Sequence, residues 1–188
     1  MYKILTLKDT VRVEPDKLKY NLEEAIKKTL QERYEGVIDK KLGVILSVIE
    51  VVRIEDGIIK HTDPAIHYPC IFDVLVFYPE LHELVEGEVV ENVEFGSFVN
   101  IGPLDGLVHI SQLMDDFVSF DKKNSSFLGK QTKKVLKEGD KVRARIISIS
   151  WTEQRKIGLT MRQPGLGSLV WIEEEKKKKK AQKKEVKK

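Results

Sequence analysis

From residue 87 to residue 161 glycines cut the chain into short β-prone pieces, and this punctuation limits the fold more than any other feature. GEVVENVE, FGSFVNI and GLVHI come first; VRARIISIS and KIGLTM follow, joined by a Trp-Thr-Glu-Gln-Arg turn. Five strands at this spacing predict a small Greek-key barrel. Residues 113–138 interrupt the series between the third and fourth strands and are longer than a plain connection. Phe117, Phe120, Phe127, Leu128 and Val135 give that insertion apolar anchors, so it is expected to pack and to add strands.

Within the barrel, residues 95–111 read FGSFVNIGPLDGLVHIS. In a strand, side chains at i and i+2 share a face and i+3 does not. Phe95 and Phe98 therefore serve one surface only if Gly96 marks a bulge or a sharp bend. Barrels of this size form the OB class, whose exposed aromatics stack nucleic-acid bases at ~1–3 kcal/mol each. His109, on the returning strand, is placed to stack or to donate to a phosphate. Val142, Ala144 and Ile146 alternate with Arg143 and Arg145, so an apolar interior turns both arginines outward. Arg155 and Lys156 lie at the opposite end of the neighbouring hairpin. The expected ligand is a single strand held by stacking, without base-edge readout.

The first part of the chain reads differently. Tyr2, Ile4, Leu7, Val11 and Val13 alternate around Lys8-Asp9, predicting a strand irregular in its middle and ended by Pro15. Leu18, Leu22, Ala25, Ile26, Leu30 and Tyr34 recur at helical spacing, and Gly36 is a C-terminal stop. Either Asp16 or an Asn21/Glu24 capping box starts that helix. Residues 43–54 (GVILSVIEVVRI) are β-branched and nearly continuous, as in a strand covered on both faces. Asp56-Gly57 predicts a hairpin turn into residues 58–61, and CIFDVLVFY at 70–78 supplies a further strand. One helix on three strands is a thin core, since about 80 residues bury only ~60% of their unfolded surface. Val44, Ile45, Leu46 and Val48 go either to that core or to a docking face. The fold class is thus α+β: β-α-β-β in residues 1–79, a barrel with an insertion in 80–172, and a tail in 173–188. Residues 163–172 predict one more extended segment covering a sheet edge.

The formal net charge of +3 hides a sorted distribution. Residues 173–188 hold nine lysines and four glutamates, a surplus of +5 that leaves −2 for the remainder. With no apolar face, this tail reads as disordered, or as a frayed helix at most. Glu80, Glu83, Glu86, Glu88, Glu91 and Glu94 make an acidic flank, whereas residues 122–145 carry nine lysines and arginines against Glu138 and Asp140. A basic side of this kind suits a polyanion.

Other functions are poorly served. No apolar run nears the ~20 residues of a membrane helix. MYKILTLKDTVRV alternates instead of forming a signal-peptide core, so a cytoplasmic protein is expected. Cys70 stands alone, which excludes an internal disulfide and a cysteine-based zinc site; it reads as a small core hydrophobe. The four histidines form no HExxH or paired-ligand arrangement, and Ser111 lacks a nucleophile elbow. Asp115, Asp116 and Asp121 read as a solvated acidic loop. No catalytic site, metal or cofactor is expected.

Residues 87–161, through GEVVENVEFGSFVNI, DGLVHISQL and EGDKVRARIISI…KIGLTM, resemble the S1 RNA-binding domain. The resemblance implies an RNA face lined by Phe95, Phe98 and His109. Where that family often carries an aspartate after the fourth strand this chain has Ser150, and Lys156 stands at or near its basic position. MYKILTLKDTVRVEP, the helix, EGVIDKKLGVILSVIEV and LMDDFVSFD together resemble the E-prime stalk subunits of archaeal RNA polymerase, over nearly the full length apart from the tail. That family implies a truncated RNP-like first domain whose tip docks on the polymerase core near the clamp. By analogy the tip falls at Gly36, Val37, Ile38, Leu42, Gly43 and Val44. It also implies a heterodimer with the small helical F subunit of RNA polymerase, emerging single-stranded RNA on the S1 face, and a role in open-complex formation and processivity. An exosome-cap component of RNA decay also pairs an N-terminal domain with an S1 barrel and is the rival expectation. An S1-bearing nuclease is disfavoured by the missing acid or metal cluster.

Overall fold

The alternation at the start of the chain carries straight through Lys8-Asp9. β1 (Tyr2–Val13) pairs residue for residue with β5 (Ile66–Phe77), from Tyr2 opposite Phe77 to Val13 opposite Ile66, without a register shift. The expected irregularity is absent because Asp9 is satisfied on the inner face. Its carboxylate accepts from the Tyr34 hydroxyl and meets Arg33 at 3.0 Å. The computed structural model describes residues 1–16, 21–61, 63–151 and 157–185, and the chain divides into two units, Met1–Tyr78 and Pro79–Lys188.

In the first unit, α1 (Leu22–Tyr34) covers the inner face of the sheet. Ala25, Ile26 and Leu30 pack with Val11, Val13, Phe72, Val74 and Val76, all buried. Asn21 caps the helix by accepting from the Glu23 N–H at 3.4 Å, which selects the later of the two predicted starts. β3 (Gly43–Ile54) lies on the other side of β5 and β2 (Ile38–Asp39) at its edge, giving the order β1-β5-β3-β2. β3 slips against β5 between Ile45 and Ser47, Val48 and Glu50, and Val51 and Arg53. Each slip is a bulge that bends the strand and adds twist. The bulges sort the apolar run. Val44, Ile45 and Val48 are buried and Leu46 half-buried, whereas Ile49 and Val52 are 39% and 57% exposed. The core alternative holds for the first set, and the exposed apolar residues lie further along.

A second correction concerns Asp56-Gly57. β4 (Ile58–Ile59) does not fold back on β3; it pairs with β5, Ile58 opposite His67 and Ile59 opposite Ile66. The Glu55 N–H donates to the Pro69 carbonyl at 2.8 Å, so β3 and β4 follow one another along the same edge of β5. Gly57 sits at the break between them, where a Cβ would stand 2.6 Å from the Tyr68 ring.

The second unit contains β6 (Leu84–Val93), β7 (Gly96–Asn100), β8 (Asp105–His109), β12 (Lys141–Ile149) and β13 (Ile157–Thr160). Antiparallel pairs join β6–β7, β7–β8, β6–β12 and β12–β13, and a parallel pair joins β8–β13, so the sheet closes as a five-stranded barrel. Val89, Val99, Val108, Val142, Ala144, Ile146, Ile157 and Leu159 fill it, none more than 2% exposed. The insertion forms its own three-stranded sheet from β9 (Val118–Asp121), β10 (Ser126–Gly129) and β11 (Val135–Leu136). β14 (Gly167–Ser168) pairs with β12, and α2 (Leu169–Glu185) follows. The segment read as extended is therefore extended only at β14. The helix starts at Leu169 because Trp171 and Ile172 bury themselves and Lys134 holds Glu175 at 2.7 Å. The tail thus takes the helical alternative as far as Glu185.

Candidate nucleic-acid interface

The β6–β7 hairpin ends in a two-residue turn, Glu94-Phe95, between the paired Val93 and Gly96. That turn, and not a bulge at Gly96, brings the two aromatics together. Phe95 and Phe98 meet edge to face with ring centroids 6.2 Å apart. Phe95 is 52% exposed and Phe98 half-buried.

Gly96 has a different duty. It lies directly opposite His109, and a Cβ there would stand 2.3 Å from the Val108 carbonyl oxygen. Directly opposed residues share a face, so Phe98 with Leu107 and Gly96 with His109 form the outer surface of β7–β8. Ser97, Val99 and Val108 point into the barrel and are buried. The His109 Nδ1 accepts from the Ser111 N–H at 3.3 Å and lies 2.9 Å from the Ser111 hydroxyl, capping the short 3-10 turn Ile110–Gln112. In the neutral ring this leaves the proton on Nε2, a donor suited to a phosphate or a base edge.

Arg143 and Arg145 are not part of this cluster. The alternation does turn them outward, but β6 separates β12 from β7. Arg143 stands opposite Glu86 and donates to its carboxylate at 2.7 and 2.9 Å. Phe98 stands opposite Glu91, five residues further along β6. The Arg145 Nε is buried with no hydrogen-bond partner among the described residues. Lys156 lies outside the described residues, as does the turn before it.

The acidic loop is structural. Asp115 binds Arg162 at 2.7 Å. Asp116 accepts from the backbone N–H groups of Thr132, Gln131 and Phe117 at 2.8, 2.9 and 2.6 Å and from the Thr132 hydroxyl at 2.9 Å. Those donors, the Thr132 N–H first, hold its carboxyl below the usual carboxylate range. Spacing alone missed a further neighbour of the aromatic pair. The Asn92 amide donates to the Ser125 carbonyl at 2.8 Å and Lys122 pairs with Glu94, pinning the tip of the β9–β10 hairpin beside Phe95. The only signal in the sequence is the Lys-Lys-Asn-Ser-Ser turn itself.

At the other end of the chain, Gly36 and Val37 are exposed, Ile38 and Leu42 half-buried, and Gly43 and Val44 buried. The β2–β3 hairpin carrying them is held by Asp39, which accepts from the Lys41 and Leu42 N–H groups at 2.7 and 3.2 Å. Among the described residues no cluster of three or more His, Cys, Asp or Glu is placed to hold a metal. None of the described helices is long and apolar enough to cross a membrane. Cys70 is buried, and burial pushes its thiol pKa up.

A closed five-stranded barrel that shows an aromatic pair and a histidine on one outer face defines a class of RNA-binding modules. Residues 78–162 match the S1 RNA binding domain, and residues 8–64 match the SHS2 domain found in the N terminus of Rpb7p/Rpc25p/MJ0397. The chain is 42% identical to the DNA-directed RNA polymerase subunit Rpo7 of Saccharolobus solfataricus over 179 residues, 94% of this chain and 99% of that one. It is 40% identical to Rpo7 of Sulfolobus acidocaldarius over 177 residues, 93% of this chain and 97% of that one. It belongs to the Rpo7 family of DNA-directed RNA polymerase subunits. A separate likeness, 42% over 89 residues, is to the polyribonucleotide nucleotidyltransferase of Mesorhizobium japonicum and covers 47% of this chain and 11% of that enzyme.

Proposed function

We propose that this chain is a non-catalytic stalk subunit of the polymerase, in the cytoplasm, that holds emerging single-stranded RNA on the outer face of β7–β8. The observation that carries the reading is the edge-to-face pair of Phe95 and Phe98 with His109 opposite Gly96. Aromatic faces accept any base, so the contact is sequence-tolerant. Arg143 and Arg145 lie off this face and add only long-range attraction for phosphate; Lys156 is proposed as a further phosphate contact. The β2–β3 hairpin, with Gly36, Val37, Ile38 and Leu42 at its surface and Gly43 and Val44 supporting it, is the proposed docking tip for the polymerase core near the clamp. The small helical F subunit is the proposed partner of the sheet face opposite α1, where Tyr2 and Ile4 are 56% and 64% exposed beside half-buried Ile71 and Leu75. In this setting the chain assists open-complex formation and processive elongation.

Filter binding of single-stranded RNA across a salt series tests the RNA face. Phe98→Ala is expected to weaken binding about tenfold. Arg143→Ala is expected to have a much smaller effect, confined to the salt-dependent part, because β6 separates Arg143 from this face. Unchanged affinity in Phe98→Ala removes this face from the site. Affinity capture from cell extract tests the assembly: the polymerase core and its small helical F subunit are expected. Exoribonuclease subunits without polymerase would replace this reading with the RNA-decay one.

A further inference from the structure

We propose that the insertion carries a second single-stranded RNA contact, centred on Phe117 and Lys130, which lengthens the S1 site. The proposal rests on reading β7–β8 as the RNA face. Phe117 is 73% exposed, more than Phe95 at 52%. It immediately precedes β9, and its carbonyl accepts from the Lys130 N–H at 2.9 Å, so the β9–β10 ladder runs one pair further and sets the two side by side. The same face continues through Leu128 and Val135, 42% and 36% exposed.

Lack of a core does not explain this exposure. The opposite face of the insertion sheet is already packed, with Phe120 against Phe127 at 5.1 Å and Phe127 and Leu136 fully buried. Nor is the platform loose. Asp116 binds the backbone of Phe117, Gln131 and Thr132 together, fixing the aromatic beside the loop that carries Lys130 and Lys133 before any ligand arrives.

Charge selects the occupant. Residues 117–137 hold six lysines and one aspartate. Lys122 is taken by Glu94, and Lys134 by Glu175 and the Trp171 ring. Asp121 is engaged by the Lys123 N–H and the Asn124 amide. No carboxylate among the described residues neutralises Lys123, Lys130 or Lys133. An exposed aromatic among uncompensated cations is the arrangement that holds bases and phosphates of a single strand. The path is continuous as well. The tip of this hairpin is pinned beside Phe95, and β9 is four residues long, about 13 Å at 3.3 Å per residue. A strand leaving Phe95 along the hairpin therefore reaches Phe117 within the ~4–16 nucleotides one OB fold covers.

Fluorescence anisotropy of the full chain with oligouridylates of about 4 and about 16 nucleotides tests this, with circular dichroism confirming the fold of each variant. Phe117→Ala is expected to weaken the long oligomer about tenfold and leave the short one unchanged. Lys130→Ala/Lys133→Asn, where asparagine tolerates the positive φ of Lys133, should lower the salt slope of the long oligomer by about 1.4. Wild-type affinity and slope for the long oligomer in both variants overturn the inference. So does an unchanged RNA affinity joined to loss of a co-purifying polypeptide, which would make the face a protein-docking one. Phe98→Ala run in parallel separates the two readings. If it weakens both oligomers while Phe117→Ala weakens neither, only the second contact fails; if it weakens neither, the S1-face reading fails.

Discussion

The two units of this chain bury a sheet face by different means. The first keeps an open sheet and lays α1 across one side, so Phe72, Val74 and Val76 of β5 are fully buried while Ile71 and Leu75, between them, are half-buried. Among the described residues of this unit no helix covers the other side of that sheet, and Tyr2 and Ile4 stand exposed on it. The second closes its sheet on itself, so the inward positions need no helix. The difference bears on function. Tyr2 and Ile4 lie on the same face of the open sheet, and a shared exposed apolar face is the kind that docks a macromolecule. In the barrel unit, Phe95 stands at a turn and Phe117 at the entry to an inserted strand, and each leaves a single ring exposed, the form of the proposed stacking contacts.

The largest effect that tests this contrast lies in the open sheet. Phe72 is fully buried between α1 and the strands, so Phe72→Ala should cost about 3–5 kcal/mol in urea melts. Ile4→Ser, on the uncovered face, should cost within roughly 0.5 kcal/mol and show itself in weaker capture of the partner. Equal losses in the two variants would mean that both faces of the sheet are core, and the contrast would fail.

A smaller effect tests the barrel. Gly96→Ala places a methyl 2.3 Å from the Val108 carbonyl, backbone that cannot turn away. The β7–β8 pairing must shift, at about 1–3 kcal/mol, and the shift moves His109 relative to Phe98. RNA affinity should therefore fall along with stability. A variant that loses stability and keeps its affinity would show that the barrel face tolerates displacement of His109.

Much of this was legible in the residues. Alternation revealed β1, the 3.6-residue spacing of Ala25, Ile26 and Leu30 revealed α1, and glycine spacing revealed the barrel strands. What escaped is what depends on partners distant in sequence. Asp56-Gly57 has the composition of a hairpin turn, yet β5 accepts β3 and β4 in succession, so the dipeptide is a break. Alternation shows that Arg143 points outward, but not that Glu86 meets it across the sheet. Asp116 has the look of a solvated loop residue because three of its four donors lie fifteen or sixteen positions away.

The smallest effect again separates the units. All five tyrosines fall within the first unit, so an alkaline titration followed by tyrosinate absorbance reports on the open sheet alone. Burial first, and then the hydrogen bond to Asp9, push the Tyr34 pKa up to about 12. A pKa raised above the unfolded value of about 10 means that the folded state favours the neutral phenol. The contribution is complete below pH 10 and is lost as pH rises from about 10 to about 12, where the phenolate forms beside the Asp9 carboxylate. Tyr34→Phe should remove the late-titrating phase and cost roughly 1 kcal/mol at neutral pH. The loss is modest because Asp9 keeps Arg33 at 3.0 Å. A late phase that survives in Tyr34→Phe would assign the raised pKa to another tyrosine and break the link between Asp9 and the regularity of β1.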